Sequence, residues 1–252
     1  MDVNTMKLSD IPEIKELLKV LEENGLLKEQ NDVKTLVSYI EDMETKLFDM
    51  STELKEMHGE VGKIRDSTLR ARCTQLITAA SEKIQQASQM VVSCKNNLIK
   101  SAKDALRAFK EKGKDALVTA VNAMKIPSAL DMLKNGFHRA AESLGKSVSN
   151  LETVRNELHD VGTHLKNAGR ALIGKPIKEN EELKADKGIL AKLQIFLQKT
   201  AEKFTGMEHS AEEKSKSLRD SYEERKSVKS DLKRLKAESK AKDAPKITEQ
   251  AR

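Results

Sequence analysis

An uninterrupted stripe of apolar residues runs from Val33 to Ile64 and constrains the fold more than any other feature of this chain. Successive members are separated by alternating intervals of three and four residues. An α-helix places such residues on one narrow face, which matches the a and d positions of a coiled coil. The spacing predicts a long helix whose stripe, here named the seam, is an oligomerisation surface of open strand number and orientation. The seam comprises Val33, Leu36, Ile40, Met43, Leu47, Met50, Leu54, Met57, Val61 and Ile64.

The composition argues against a wide globular core. Of the 252 residues, 34% are charged, only 3% are aromatic, and tryptophan is absent. Because aromatic side chains bury the most area per residue, a chain with so few of them favours narrow helix–helix contacts. Abundant Ala, Glu, Lys, Leu and Arg with a persistent helical period are typical of long helices. We therefore predict an all-α, elongated protein of long helices or coiled coils with antiparallel helix packing.

A second apolar stripe extends from Leu69 to Met124 and repeats at intervals of four, three and four residues. This 11-residue period corresponds to about 3.67 residues per turn and favours a straight helix over a left-handed supercoil. The change of period predicts a joint at residues 65–68, where Asp66 or Ser67 can cap the new helix. Whether the chain folds back there or continues as one rod stays open.

Two residues interrupt this second stripe, Lys95 and Gly113. Neither is expected to end the helix, which we predict to stop at Ile126-Pro127-Ser128, since the residue before proline is disfavoured in the helical region. Ser128 can then cap a third long helix, whose apolar stripe runs from Leu130 to Leu172 and ends at Gly174-Lys175-Pro176. A last helix is expected from about residue 179 to 239, and the short breaks favour antiparallel neighbours.

The chain begins with a shorter predicted helix over residues 9–25. Ser9 or Asp10 can cap it, Pro12 lies in its first turn, and Asn24-Gly25 ends it in the left-handed conformation that glycine tolerates. The predicted organisation therefore has four segments. These are a short helix with an acidic coiled-coil arm (1–65), an 11-residue-period helix with a helix hairpin (66–176), a long basic helix (177–240) and a disordered tail (241–252).

Charge is unevenly distributed along the chain. Residues 1–65 carry a net charge of −6, and the remaining residues carry +12. The two parts can attract each other within or between chains, and the basic part can contact nucleic acid or an anionic membrane surface. The absence of a recognised nucleic-acid motif and the scarcity of aromatic residues weaken the nucleic-acid alternative. The candidate phosphate or lipid contacts are Lys100, Lys103, Arg107, Lys110, Lys112, Lys114, Arg225, Lys226, Lys229, Lys233, Arg234 and Lys236.

One segment resembles a nucleotide-binding motif. Residues Gly169 to Pro176 follow the phosphate-binding pattern G-x-x-x-x-G-K-[ST] except at the last position, where Pro176 supplies no hydroxyl group for Mg²⁺. A predicted helix precedes the segment, whereas the motif requires a strand. The pattern indicates a helix C-terminus instead, with Gly174 as the cap and Lys175 near the negative end of the helix dipole.

No other residue pattern indicates chemistry. His159 and His164 are five residues apart, a spacing that does not place two imidazoles on one helical face. No G-x-S-x-G elbow occurs, and neither cysteine has a C-x-x-C partner. We therefore expect no catalytic residue, no metal site, no cofactor and no small-molecule substrate, and the protein is not expected to be an enzyme.

Cysteine usage and hydropathy indicate a cytoplasmic protein. Cys73 and Cys94 lie 21 residues apart on one predicted helix, which is roughly 30 Å and beyond disulfide reach. The first seven residues contain no apolar core of a signal peptide, and no uncharged run is long enough to span a bilayer.

Three runs carry a resemblance to a known family: Ser67 to Cys73, Ser101 to Leu130, and Glu157 to Pro176. They are similar to an uncharacterised domain-of-unknown-function family of helical proteins from Gram-positive anaerobes, often encoded on mobile or conjugative elements. The likeness covers about residues 10–210. It implies a helical fold and a bacterial cytoplasmic setting, and it supplies no catalytic residue.

These observations favour a structural or scaffolding protein that acts by coiled-coil self-association or by binding a helical partner. The alternative is a non-specific nucleic-acid-binding or peripheral membrane-surface protein that uses its basic helices. If the seam is the oligomer interface, replacing Leu47 and Leu54 by aspartate is expected to abolish the oligomer and to leave the C-terminal helices folded.

Overall fold

The computed structural model of the protein describes residues 6–173, 175–176 and 188–242, without the side chains of 158, 159, 162 and 224–242. Within this part the chain forms six α-helices and no strand, so the predicted all-α fold is confirmed. A single 3-10 turn, Leu8–Asp10, precedes the first helix. The helices are α1 (Pro12–Glu23), α2 (Leu27–Gly62), α3 (Ser67–Lys112), α4 (Lys114–Ala123), α5 (Ile126–Leu172) and α6 (Ile189–Lys242).

Four long helices, α2, α3, α5 and α6, form a bundle in which each helix packs against two neighbours around a central axis. The order around the axis is α2, α3, α5, α6, and neighbours run antiparallel, as the short breaks predict. The short helix α1 packs against α2 and α3, and α4 packs against α3. Narrow apolar stripes suit this arrangement because each stripe is covered by the two helices beside it.

The chain folds back at the predicted joint after α2. Helix α2 ends at Gly62, and α3 begins at Ser67. The side chain of Asp66 caps α3 by accepting a hydrogen bond of 2.7 Å from the backbone N–H of Leu69. This cap confirms the prediction and satisfies one of the N–H groups that a helix start leaves without an intrahelical partner.

Gly113 ends α3, so the prediction of one helix from the joint to residue 126 was wrong. The φ angle of Gly113 is +76°, a conformation that residues with a side chain rarely adopt. The chain changes direction there, and α4 places Leu117 and Val121 in the core with no exposed surface. The glycine is therefore a helix boundary that the period alone did not reveal.

Helix starts differ from the predicted caps at two places. Ile11 holds the position before α1 without a side-chain cap, although Ser9 and Asp10 were expected to supply one. Lys125, with a φ angle of +48°, precedes α5, so Ser128 lies inside that helix instead of capping it. At the first start, Ile11 is buried in the core.

The end of α1 is as predicted. Gly25 has a φ angle of +68°, and its neighbour Leu26 donates a backbone hydrogen bond of 2.8 Å to the carbonyl oxygen of Leu21. The left-handed glycine turns the chain directly into α2. The predicted start of the last helix near residue 179 and most of the predicted tail (241–252) lie outside the described residues.

Candidate interaction surfaces

The seam lies in the bundle core. Nine of its ten members are buried, with Leu54 the most exposed of them at 9%, and Met57 is partly buried. The helices that cover α2 are α1, α3 and α6 of the same chain. Oligomerisation through the seam stays a prediction, but the burial that motivated it is achieved inside one chain.

Polar contacts fasten α2 to α6. The Tyr39 hydroxyl donates a hydrogen bond of 2.8 Å to the backbone carbonyl oxygen of Met207, and burial raises the pKa of Tyr39 far above its ordinary value. Glu53 lies 2.7 Å from the Lys203 ammonium group. Such pairs show that the acidic first segment and the basic remainder of the chain contact each other within the molecule.

A surface groove of about 740 Å³ lies between α2 and α6 near the end of α2. Part of its charged wall is paired, because Glu60 accepts hydrogen bonds from both Lys63 and Lys192. These hydrogen bonds lower the pKa of the Glu60 carboxyl. The floor contains Phe196 and the half-exposed Ile195. The charged lining of the groove consists of lysine and glutamate side chains.

The predicted basic row on α3 faces α1. The Lys103 ammonium group lies 3.1 Å from the carboxylate of Glu13, and the Lys110 ammonium group lies 3.0 Å from that of Glu16. A backbone hydrogen bond to the Glu13 carboxylate lowers the pKa of that group, and the hydrogen bond from Lys103 lowers it further. Two of the five predicted contacts on α3 are therefore neutralised by acids of the same chain, which reduces the support for phosphate contact there.

The other members of that row differ in their surroundings. Arg107 pairs with Asp104 at 2.9 Å, and Lys114 donates a hydrogen bond of 2.7 Å to the carbonyl oxygen of Asn24 at the end of α1. Lys100 and Lys112 are exposed. The second predicted cluster belongs to α6, but its side chains lie outside the described part. It consists of Arg225, Lys226, Lys229, Lys233, Arg234 and Lys236.

The segment that resembles a phosphate-binding loop contains the end of a helix, as predicted. Helix α5 ends at Leu172, and the backbone N–H of Lys175 donates a hydrogen bond of 2.9 Å to the carbonyl oxygen of Arg170. The Arg170 side chain in turn donates to the carbonyl oxygen of Pro176 at 2.8 Å. Gly174, the predicted cap, lies outside the described residues. The backbone described at this position therefore closes a helix.

Among the residues whose side chains the structure describes, the stripe of α5 becomes exposed toward the end of that helix, and we name residues 160–173 the α5 tip. Leu144 and Leu151 on the same stripe are each 1% exposed, whereas Leu165 is 69% and Leu172 is 88% exposed. Leu165 and Leu172 were predicted to lie on a packed stripe, since periodicity indicates which face of a helix is apolar and not what covers it. The spacing stays regular through Leu172, so no signal in the sequence separates the covered part of the stripe from its exposed end.

A model for a family of unknown function, DUF6674, matches residues 10–252. The chain belongs to this family. The match extends beyond the residues that carried the resemblance and includes all six helices. No curated protein and no solved structure matches the chain.

Metal sites and membrane spans each require a recognisable arrangement of residues, and the described part of this DUF6674 chain contains neither arrangement. The described residues contain no group of three or more His, Cys, Asp or Glu side chains close enough to hold a metal ion. None of the described helices has an apolar run long enough to cross a membrane.

His138 lies 3.0 Å from Glu208, and this contact joins α5 to α6.

Proposed function

We propose that this DUF6674 protein is a non-enzymatic structural or scaffolding protein that acts by helix–helix association, with itself or with a helical partner, through the α5 tip. The observation that carries the proposal is the apolar stripe of α5, which is buried at Leu151 and exposed at Leu165 and Leu172. Exposed apolar side chains that continue a packed stripe mark an interaction surface, because covering them removes apolar area from water.

The α5 tip supports this role better than the seam does. The seam residues have no apolar surface left to offer, since Val33, Ile40 and Met43 have no exposed area. A second chain could cover them only after the bundle opened, which would expose the whole core. The tip needs no such rearrangement, because Val161 and Ile173 are already 55% and 66% exposed.

The setting is part of the proposal. The runs Ser67 to Cys73, Ser101 to Leu130 and Glu157 to Pro176 resemble proteins of Gram-positive anaerobes, often encoded on mobile or conjugative elements. We infer a cytoplasmic accessory protein of such an element. It would require no cofactor and no small-molecule substrate, since its action depends on covering apolar helix surface.

Light scattering after size-exclusion chromatography tests the proposal. The wild-type chain is expected to form an oligomer whose share rises with concentration, and Leu165→Asp with Leu172→Asp is expected to give a monomer with unchanged helical circular dichroism. Phe48→Asp is the matched control, because Phe48 is 72% exposed on α2, away from the tip. An oligomer that survives the tip substitutions, or one that the Phe48 substitution disrupts, contradicts the assignment of the surface.

A further inference from the structure

The segment that precedes α1, residues 6–11, is held against α2 and α3 by side chains that bind its backbone. The backbone N–H of Ser9 donates a hydrogen bond of 2.7 Å to the Glu41 carboxylate of α2. The backbone carbonyl oxygen of Met6 accepts one of 3.2 Å from the Lys95 ammonium group of α3. Because one contact comes from each helix, the segment bridges the two helices, and we name it the strap.

Two apolar side chains anchor the strap in the bundle. Leu8 has no exposed area and Ile11 is 3% exposed, whereas Lys7 and Asp10 are exposed. The three residues per turn of the 3-10 conformation place Leu8 and Ile11 on the same side. The backbone hydrogen bonds of the turn, from Asp10 to Lys7 and from Ile11 to Leu8, stay within the strap. Its attachment therefore depends mainly on the two anchors and the two backbone contacts with α2 and α3.

The strap and α1 are separate structural elements. Ile11 has an extended conformation, with φ −66° and ψ 128°, and α1 begins directly after it at Pro12. The residue before a proline is disfavoured in the helical region, and a proline at a helix start has no N–H group that needs a partner. The exposed pair of Asp10 with Lys15 of α1 adds little to the attachment. The strap can therefore leave the bundle without unwinding α1, whose own apolar face is buried.

A surface groove of about 420 Å³ lies between α2 and α3 beside the strap. Met6 of the strap lines it together with Leu47 and Phe48 of α2, and Phe48 is 72% exposed. Departure of the strap would remove one wall of this groove and uncover the site of Leu8. It would also leave one N–H of the Lys95 ammonium group open to water.

We propose that the strap is a conformational device that opens as a unit while the bundle stays folded, and that Lys95 and Glu41 determine how often it opens. Segments with few buried contacts open at lower free energies than a packed core does. The proposal also gives a role to the lysine in the apolar stripe of α3, because an ammonium group binds a backbone carbonyl that no apolar side chain could bind. This device is separate from the α5 tip and does not depend on the proposed function.

Limited proteolysis of the full chain with trypsin tests the proposal. Cleavage after Lys7 requires the surrounding backbone to leave the bundle, so its rate reports the population of the open strap. Mass spectrometry measures the release of the residues up to Lys7. Glu41→Ala and Lys95→Met are each expected to raise this rate about tenfold, because each removes a charge-assisted hydrogen bond to the strap backbone.

Asp42→Ala is the matched control for these two variants. Asp42 is next to Glu41 in the sequence of α2 and pairs with Lys46 on the surface at 2.8 Å. Its substitution is expected to leave the rate of cleavage after Lys7 within about twofold of the wild type. Glu41→Ala leaves Lys95 and its ion pair in place, so it reports on the strap even where Lys95→Met lowers the stability of the bundle.

Low concentrations of urea separate opening of the strap from unfolding of the bundle. A local opening exposes little surface, so the rate of cleavage after Lys7 is expected to change less than about twofold below the unfolding transition measured by circular dichroism. The urea dependence of trypsin itself is corrected with an unstructured peptide substrate.

Three outcomes overturn the inference. The first is a rate of cleavage after Lys7 that rises with urea in parallel with global unfolding. The second is a set of rates for Glu41→Ala and Lys95→Met that equal the rate for Asp42→Ala. The third is a wild-type rate equal to that of the fully denatured chain, because the strap would then not be closed.

Discussion

The ammonium group of Lys95 lies 2.8 Å and 3.1 Å from the two carboxylate oxygens of Glu44, in contact with the bundle core. Its third hydrogen bond, of 3.2 Å, goes to the backbone carbonyl oxygen of Met6. Only 2% of the Lys95 side chain is exposed, against 30% for Glu44. The lysine that interrupts the 11-residue stripe therefore points inward with all three of its donors satisfied, and it connects α3 to α2 and to the N-terminal segment.

The Lys95–Glu44 pair predicts an asymmetric response to substitution. Glu44→Ala is expected to lower the free energy of unfolding by about 2 kcal/mol, because it leaves a buried ammonium group without its counterion. Lys95→Met is expected to lower the free energy of unfolding by less, because methionine fills a similar volume and leaves no buried charge. Urea denaturation measures both, and the double variant should resemble Lys95→Met alone.

Lys46→Met is the control for this prediction. Lys46 pairs with Asp42 on the surface of α2 at 2.8 Å, with 42% of its side chain exposed, and such pairs contribute little. If Glu44→Ala and Lys95→Met lower the free energy of unfolding by the same amount, the buried charge does not dominate the energetics of the pair.

Aspartate substitutions at the seam and at the α5 tip are predicted to have opposite effects. Leu47→Asp with Leu54→Asp places two carboxylates in a core that α2 shares with α3 and α6, and is expected to destabilise the whole bundle by more than about 4 kcal/mol. Leu165→Asp is expected to change stability by less than about 0.5 kcal/mol because the side chain is exposed. Thermal denaturation followed by circular dichroism separates the two results.

If the seam were an interface between chains, the same substitutions would abolish the oligomer and leave the C-terminal helices folded. Packing of the seam inside the bundle predicts that all the helices lose stability. If the Leu47→Asp, Leu54→Asp variant has the same helical signal and the same melting temperature as the wild type, the packing of α2 in the bundle is not what stabilises α6.

Tyr39 predicts a loss of stability at high pH. Burial first, and then nearby Asp42 and Cys94, raise the pKa of the folded-state phenol above its ordinary value, which in the unfolded chain is about 10. Above that pH the unfolded chain releases the proton and the folded chain retains it. The free energy of unfolding therefore falls as pH rises, by up to about 1.4 kcal/mol per pH unit.

Tyr39→Phe is the matched control for the pH measurement. It removes the titrating group and its hydrogen bond to Met207, at a cost of about 1 kcal/mol near neutral pH. Urea denaturation between about pH 8 and pH 11 should then show a shallower decline for the variant than for the wild type. Parallel declines would mean that Tyr39 does not contribute to the alkaline loss.

The two cysteines are predicted to be unreactive in the folded chain. Cys73 and Cys94 are 1% and 4% exposed, and burial raises the pKa of the Cys94 thiol to about 11. Because the thiolate is the reactive form, a thiol reagent such as Ellman's should label neither cysteine at mildly alkaline pH until the bundle opens. Both should react in denaturant, and the rate without denaturant should follow the unfolding rate. Rapid labelling of either thiol in the native protein would contradict the burial of its stripe.

The local features of the fold were largely predictable. The Asp66 cap, the left-handed Gly25 and the antiparallel hairpins follow from residue preferences that act within a few residues of each position. The effects of Gly113 and Lys95 were harder to predict from the sequence. Each residue interrupts the apolar stripe at one position, but the helix ends at Gly113 and continues through Lys95. Gly113 ends a helix because its backbone adopts a conformation open to glycine. Lys95 continues one because lysine is a good helix former, and Glu44 opposite it offsets the burial of its charge.

The sequence by itself determined that the chain is helical and which face of each helix is apolar, because those properties depend on the spacing of residues along one helix. Only the tertiary structure decided what covers each face. A leucine stripe carries no information about its partner, so the seam residues, read as an interface between chains, lie against helices of their own chain. The same spacing continues through Leu165 and Leu172, which are exposed although they lie on the same stripe as the buried Leu151.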